Sequence, residues 1–212
     1  MNALRYPTFP AVRSHARGFT LLELMTVVML IAILAVIAVP GAARMIRERR
    51  SATAASYIVE QFRLAKARSL GRNSAVMVRY NAGRVQVIEA IAGTGGSTSG
   101  CALVPRGACT LANFSSSTTS QILDEFNPAG AGYQDVAFQL SQYVGTTPTV
   151  YTQADICYSS SGLTWIRTNP NVEFAPMTTG VDIRVRMETG SEVIGVERHI
   201  YVLPNEMARL AI

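Results

Sequence analysis

The stretch "RGFTLLELMTVVMLIAILAVIAVPGAAR", residues 17–44, decides the fold of this 212-residue chain. From Phe19 to Val39 it holds 21 residues with a single charge, that of Glu23. A helix needs roughly 20 predominantly apolar residues to cross a bilayer. The stretch therefore predicts a membrane-spanning helix that carries one carboxylate near its start.

Two simple interpretations leave Glu23 without a role. A secretory signal peptide has an apolar core of about 7 to 15 residues, which is shorter than this run. A plain membrane anchor would bear a cost approaching about 3 kcal/mol for a carboxylate held deep in the bilayer. Neither interpretation explains why an acid is present.

A third interpretation gives the carboxylate a partner, because acids inside membranes are usually paired. Cleavage after Gly18 would make Phe19 the first residue and create an α-amino group four residues before Glu23. When helices pack side by side, the amine of one molecule can meet the carboxylate of its neighbour. Assembly would then satisfy the buried charge.

These residues resemble the N-terminal signature of type IV prepilins and of type II secretion pseudopilins. The resemblance lies in a basic leader followed by the signature residues Gly18, Phe19, Thr20, Leu21, Glu23 and, after the apolar helix, Pro40. It implies that a prepilin peptidase cuts between Gly18 and Phe19 on the cytoplasmic side and N-methylates Phe19. It also implies three further partners: other pilins or pseudopilins, the bacterial inner membrane and an assembly platform.

The resemblance divides the chain into four parts. We expect a leader that is removed (1–18), a transmembrane and assembly helix (19–39), an amphipathic helix (40–71) and a periplasmic β-rich head (72–212). Pro40 removes a backbone hydrogen bond, so a kink is predicted there, with Gly41 adding freedom. In "LGRN", residues 70–73, Gly71 is predicted to end the helix.

The rest of the chain is typical of strands. "SAVMVRYN" (74–81) and "RVQVIEAI" (84–91) are separated by "NAG", which predicts a β-hairpin. Further strands are predicted in 135–141, 154–160, 163–168, 181–188 and 196–203. The predicted fold is α+β, a long kinked helix packed on an antiparallel sheet. Residues 93–120 are rich in Gly, Ser and Thr and predict a long exposed loop.

Two stretches of the head resemble the GspH/FimT-type minor pilins. They are "FRLAKARSLGRNSAVMVRYN", where a helix passes into a first strand, and "DICYSSSGLTW", a strand, turn and glycine. The Pro-Asp that usually precedes this glycine is replaced by Ser160 and Ser161. Some members of the subfamily bind DNA through a Gly-Arg-x-Arg stretch near the C-terminus, whereas here "LPNEMARLAI" offers only Arg209.

The distribution of charge does not favour nucleic acid as a partner, despite a net charge of +5. The leader carries Arg5, Arg13 and Arg17 and no acid, which favours its retention on the cytoplasmic side. Residues 85–212 carry 6 basic and 11 acidic side chains, so most of the predicted head is acidic. Phosphate binding needs the opposite sign. Arg184 and Arg186 form the only local basic patch that we identify in this part.

The three cysteines, Cys101, Cys109 and Cys157, all follow the apolar run, and an exported head favours one disulfide. Cys101 with Cys109 would close a short loop, and either could instead pair with Cys157. A zinc site would need a fourth ligand, for which His15 and His199 are badly placed. We therefore predict no metal and no cofactor.

No catalytic constellation is evident, so we predict no enzymatic activity. His199 lies in a strand-like stretch and is expected to be structural, and Trp165 and Tyr201 are expected in the core or on a sheet face. Asp124 and Glu125 are adjacent and predict a solvated acidic turn rather than an acid/base pair.

The leading functional hypothesis is a minor pilin of a type IV pilus that primes or caps assembly, and the alternative is a GspH-type minor pseudopilin. A DNA-binding minor pilin and an unrelated membrane-anchored exported protein are the remaining hypotheses.

Overall fold

One long helix, α1, runs from Leu21 to Arg72 in the computed structural model, which describes residues 19–93, 103–144, 147–190 and 192–211. The chain divides into two compact units, Met1–Ala43 and Arg44–Ile212. In the second unit, the face of α1 that carries Ile58, Phe62 and Ala65 is buried. The amphipathic helix predicted for this part is thus confirmed, because one of its faces is buried in the core.

The helix ends at Arg72, one residue after the predicted glycine stop. Gly71 lies inside α1, and the residue with left-handed backbone is Asn73, with φ 55°. Ser74 N donates to Ser69 O at 3.2 Å, which is the bond that closes a Schellman-type helix end. Asparagine tolerates this conformation because its short polar side chain bonds locally, so the prediction of Gly71 as the stop was wrong.

The described residues after α1 form twelve strands. Their bounds are β1 Val76–Asn81, β2 Arg84–Gly93, β3 Leu103–Pro105, β4 Ser120–Phe126, β5 Val136–Val144, β6 Thr147–Tyr151, β7 Gln153–Tyr158, β8 Thr164–Arg167, β9 Ala175–Pro176, β10 Val181–Thr189, β11 Glu192–Val202 and β12 Arg209–Ala211. The predicted hairpin is confirmed as β1 and β2, with Asn81 opposite Arg84. Ala82 and Gly83 both have positive φ, as a two-residue hairpin turn requires.

The strands form two antiparallel sheets rather than the single sheet that was predicted. The first has the order β3-β2-β1-β7-β8-β9, with β4 also paired to β2, and the second has the order β12-β11-β10-β5-β6. Both sheets contribute to the same core as α1, through Val76 and Val78 of β1 and through Val181 and Ile183 of β10. A helix that is apolar over a wide stripe can therefore cover two sheets.

The outer face of the first sheet has a covering layer of its own. A second apolar cluster there consists of Ala75, Met77, Ile88, Ala90, Cys109, Phe114, Cys157 and Phe174, with Trp165 packed against it. The exposed loop predicted for residues 93–120 is thus only partly correct. Residues 94–102 lie outside the described part, whereas Cys109, Asn113 and Phe114 are buried.

Cys109 and Cys157 form a disulfide that attaches this covering layer to β7. Their Cα atoms are 6.0 Å apart and 48 residues separate them in the chain. Nearby, Ala75 N donates to Arg106 O at 2.6 Å and Ser160 N donates to Gly107 O at 3.0 Å. Of the pairings that the sequence left open, the structure thus contains the one between Cys109 and Cys157; Cys101 lies outside the described residues.

Removing this disulfide is expected to destabilise the head by about 2–4 kcal/mol, since the bond restricts a long loop in the unfolded chain. Denaturant unfolding of the Cys109→Ala/Cys157→Ala variant in mild detergent measures the effect. Cys101→Ser is the matched control, because it removes a thiol and leaves the Cys109–Cys157 bond in place. A loss of the same size in the control would contradict this pairing.

Candidate assembly site at the start of the helix

The first part of α1 presents an apolar surface that its own unit does not cover. Leu21–Val39, 19 residues, has a mean hydropathy of 2.8 and none of it is buried. By length and composition this segment can cross a membrane. Phe19, two residues before the helix begins, is 83% exposed. An apolar surface of this size requires lipid or other helices to cover it.

Thr20 is the N-cap of α1. Its backbone oxygen accepts from Leu24 N at 3.2 Å, and its Oγ1 accepts from Glu23 N at 3.2 Å. A side-chain oxygen at this position satisfies a backbone N–H that otherwise lacks a partner inside the helix. Thr20 and Glu23 stand in the Thr-x-x-Glu spacing of a capping box. The sequence contains this signal, but our sequence analysis did not use it.

Glu23 lies in the first turn of α1. The free N–H groups of a helix start carry partial positive charge, which favours an acid there by about 0.3–1 kcal/mol. Glu23 O accepts from Thr26 Oγ1 at 2.9 Å. Within Leu21–Val39, no hydrogen bond or ion pair occupies the carboxylate oxygens of Glu23. The carboxylate is therefore oriented by its place on the helix and is available to a group from outside this segment.

Three further residues were predicted as the cleavage position and the kink of the helix. Gly18, the predicted cleavage position, lies outside the described residues. Pro40 and Gly41 lie inside α1, whose helical assignment is continuous across them. A local break of the helix is therefore not seen, and the kink at these two residues stays a prediction.

The fold and this helix start define a class of protein. A long helix that is apolar in its first part and amphipathic in its second, followed by antiparallel sheets, agrees with the α+β fold of pilin-like proteins. The family model described as the prokaryotic N-terminal methylation motif matches residues 13–39. No curated protein and no solved structure matches the chain.

The N-terminal segment is thus that of a type IV pilin-like protein, and it supports a pilin-like or pseudopilin-like role. The motif implies processing by a prepilin peptidase and assembly with other pilins. Together with the apolar helix, it indicates a membrane-anchored subunit of a pilus-like filament.

Asp124 and Glu125, which were predicted to form a solvated acidic turn, lie in a strand of the head. Asp124 lies in β4, where its Oδ2 accepts from Tyr57 Oη at 2.6 Å and from Gln61 Nε2 at 2.7 Å. The hydrogen bond to Asp124, together with burial, raises the pKa of Tyr57 to about 12. The prediction of a solvated turn was wrong because Asp124 joins β4 to α1. Adjacent Glu125 has no such contact with the helix among the described hydrogen bonds.

His199 and the two candidate basic residues contact carboxylates on the second sheet. His199 Nδ1 lies 3.1 Å from both carboxylate oxygens of buried Asp182, and Arg184 Nε lies 3.4 Å from Asp182 Oδ2. Arg186 Nε lies 2.6 Å from Glu188 Oε1. The patch of Arg184 and Arg186 is therefore offset by carboxylates. In the described part of the chain, no group of three or more His, Cys, Asp or Glu could hold a metal ion.

Besides Asp182, two further buried carboxylates of the head were not predicted from the sequence. Glu89 accepts from Arg68 at 2.8 Å and from Ser74 Oγ at 2.8 Å, and Arg72 lies 3.5 Å away. Burial alone would raise the pKa of Glu89, but these hydrogen bonds and positive charges outweigh burial, so the pKa lies below its usual value. Asp155 is held in the same way between Arg79 and Arg167. Glu89 and Asp155 could have been predicted from the sequence, because each is an acid within an apolar strand, as in "VQVIEAI" and "ADICY".

Proposed function

We propose that the chain is a minor pilin of a type IV pilus, a non-enzymatic subunit that helps to prime or cap assembly through its methylated helix. The observation that carries the proposal is the position of Glu23. It is the single charge of an uncovered apolar helix and lies in the first turn, four residues after Phe19. The head would lie in the periplasm, with the helix in the bacterial inner membrane.

Cleavage between Gly18 and Phe19 would create a positively charged partner for Glu23. The new α-amine of Phe19 stays basic when it carries one methyl group, so it remains a cation. In a filament, this cation and the carboxylate of a neighbour's Glu23 would neutralise each other. An unpaired carboxylate in the bilayer costs up to about 3 kcal/mol. Because pairing removes this cost, the carboxylate would favour the assembled state.

The assignment to the minor subunits rests on the resemblance to the GspH/FimT type. The stretch quoted for it, residues 62–81, runs from the buried part of α1 through the helix end at Arg72 into β1. The second stretch, 155–165, contains β7, the turn at Gly162 and the start of β8. A helix end followed by a central strand, and a later hairpin beside it, agree with the subfamily's order of elements.

Filament composition and filament number test the proposal. We expect the chain to be a small fraction of the subunits in sheared pili, and its deletion to reduce the number of pili while any remaining pili reach normal length. Mass spectrometry of sheared filaments and electron microscopy of the deletion strain measure both. Unchanged piliation with loss of exoprotein secretion would contradict a minor pilin and would favour the pseudopilin alternative.

A further inference from the structure

The head has a basic and apolar surface where α1 enters it. We call this surface the basic collar. It consists of Met45, Ile46, Arg47, Arg49 and Arg50 of α1 and Val193, Val196 and Arg198 of β11. Its four apolar side chains are between 44% and 58% exposed.

The two elements that carry the basic collar, α1 and β11, are in contact. Arg198 Nη1 donates to Ser51 Oγ at 2.6 Å. A Cβ built on Gly195 would lie 3.5 Å from Glu48 Cγ, so β11 follows the helix closely at this point. All of these residues belong to the unit Arg44–Ile212. The basic collar therefore consists of side chains around one stretch of α1 and of the β11 strand beside it, within one compact unit.

Within the described part of the chain, the positive charge of the basic collar is only partly offset. Arg47, Arg49, Arg50 and Arg198 have no carboxylate within salt-bridge distance there. Glu48 is the one acid among the residues from 45 to 50. By contrast, Arg68, Arg79 and Arg167 are each paired with a buried carboxylate. The collar thus attracts an anionic partner.

The chain itself keeps the basic collar close to the membrane. Arg47 follows Val39, the last residue of the apolar span, by eight residues. The distance along the chain from Val39 to Arg47 is about 12 Å if these residues are helical and at most about 30 Å in any conformation. The long apolar stem of arginine lets its charged end reach headgroups while the stem stays on apolar surface. Exposed Met, Ile and Val side chains suit the boundary between headgroups and acyl chains.

We propose that the basic collar binds the anionic headgroups of phospholipids in the leaflet on the side of the head. The inference requires that the apolar helix lies in a membrane, and it does not depend on the role as a minor pilin. A second copy of this chain could also offer negative charge, since residues 85–212 are acidic. The exposed apolar side chains between the arginines and the short link to the span favour lipid over such a protein surface.

Arginine footprinting of the full chain in vesicles tests this proposal. The chain is reconstituted either in phosphatidylcholine or in equal parts of phosphatidylcholine and phosphatidylglycerol. Hydroxyphenylglyoxal then modifies accessible arginines, and mass spectrometry gives the rate at each site. We expect modification of Arg47, Arg49, Arg50 and Arg198 to slow on the order of tenfold in the anionic vesicles. Exposed Arg84, in the β2 strand, is the internal control and should react equally in both.

Variants separate lipid binding from other causes of protection. In the Arg47→Gln/Arg49→Gln/Arg50→Gln variant, we expect Arg198 to lose its protection in anionic vesicles, whereas Arg84→Gln should leave that protection unchanged. Equal rates of the collar arginines in both kinds of vesicle would overturn the proposal. So would protection in neutral vesicles that rises with the amount of protein per lipid, because this result would assign the basic collar to a second copy of the chain.

Discussion

Glu23→Ala is expected to remove the chain from filaments while leaving it in the membrane. The substitution deletes the carboxylate that would neutralise the amine of a neighbour's Phe19, and that amine would then be buried without a partner. A loss of about 1.4 kcal/mol already lowers an equilibrium tenfold, so incorporation should fall by at least about this factor. The amount of the chain in sheared filaments, divided by the amount in the membrane fraction, measures the effect.

Glu23→Gln distinguishes charge from helix capping. The bond to Thr20 Oγ1 comes from the backbone N–H of residue 23, so the glutamine variant keeps this cap. We expect it to fail in assembly as the alanine variant does. Glu60→Ala is the matched control, because it removes an exposed acid from the same helix outside the apolar span. Normal incorporation of Glu23→Gln would contradict a role for the charge.

Asp155→Ala is expected to destabilise the head by about 3–5 kcal/mol, which is the usual cost of breaking a buried ion pair from one side. Arg79 binds both carboxylate oxygens, at 2.9 Å and 3.2 Å, and the Arg167 guanidinium lies 2.7 Å from Asp155. Arg167 is only 4% exposed and lies 4.2 Å from the centre of the Phe174 ring. Removing Asp155 would leave this buried cation without a counter-charge.

Chemical unfolding followed by fluorescence measures this loss in the detergent-solubilised chain. Trp165, the one tryptophan of the sequence, stands opposite Cys157 in the neighbouring strand and reports on this layer. Asp135→Ala removes an exposed acid and should change the free energy of unfolding by less than about 0.5 kcal/mol. Asp155→Ala/Arg167→Met should recover part of the loss, since apolar replacement of a buried pair is often tolerated. No recovery would contradict the unpaired cation as the cause.

Most of the correct predictions from the sequence rest on local patterns. Composition alone predicts the apolar span, and the residues next to Ala82 and Gly83 predict the turn. The class of protein followed from the same short stretch, because Phe19 and Glu23 stand at a spacing that few other segments require.

Features that depend on distant residues were missed. Asp124 was assigned to a turn because its partners, Tyr57 and Gln61, lie more than 60 residues away in the chain. The covering layer depends on a bond between Cys109 and Cys157, which spacing alone did not select among the pairings. The division into two sheets likewise depends on strands that pair across long separations, such as β1 with β7.

The mass of the N-terminal peptide tests the central claim most directly. The chain is purified from its native membrane and from filaments, and the first peptide is fragmented to locate any modification. We expect a chain that begins at Phe19 and carries one methyl group on its α-amine. A chain that begins at Met1, or one that begins near Ala43 without the apolar helix, would contradict the claim that Glu23 meets a neighbour's amine.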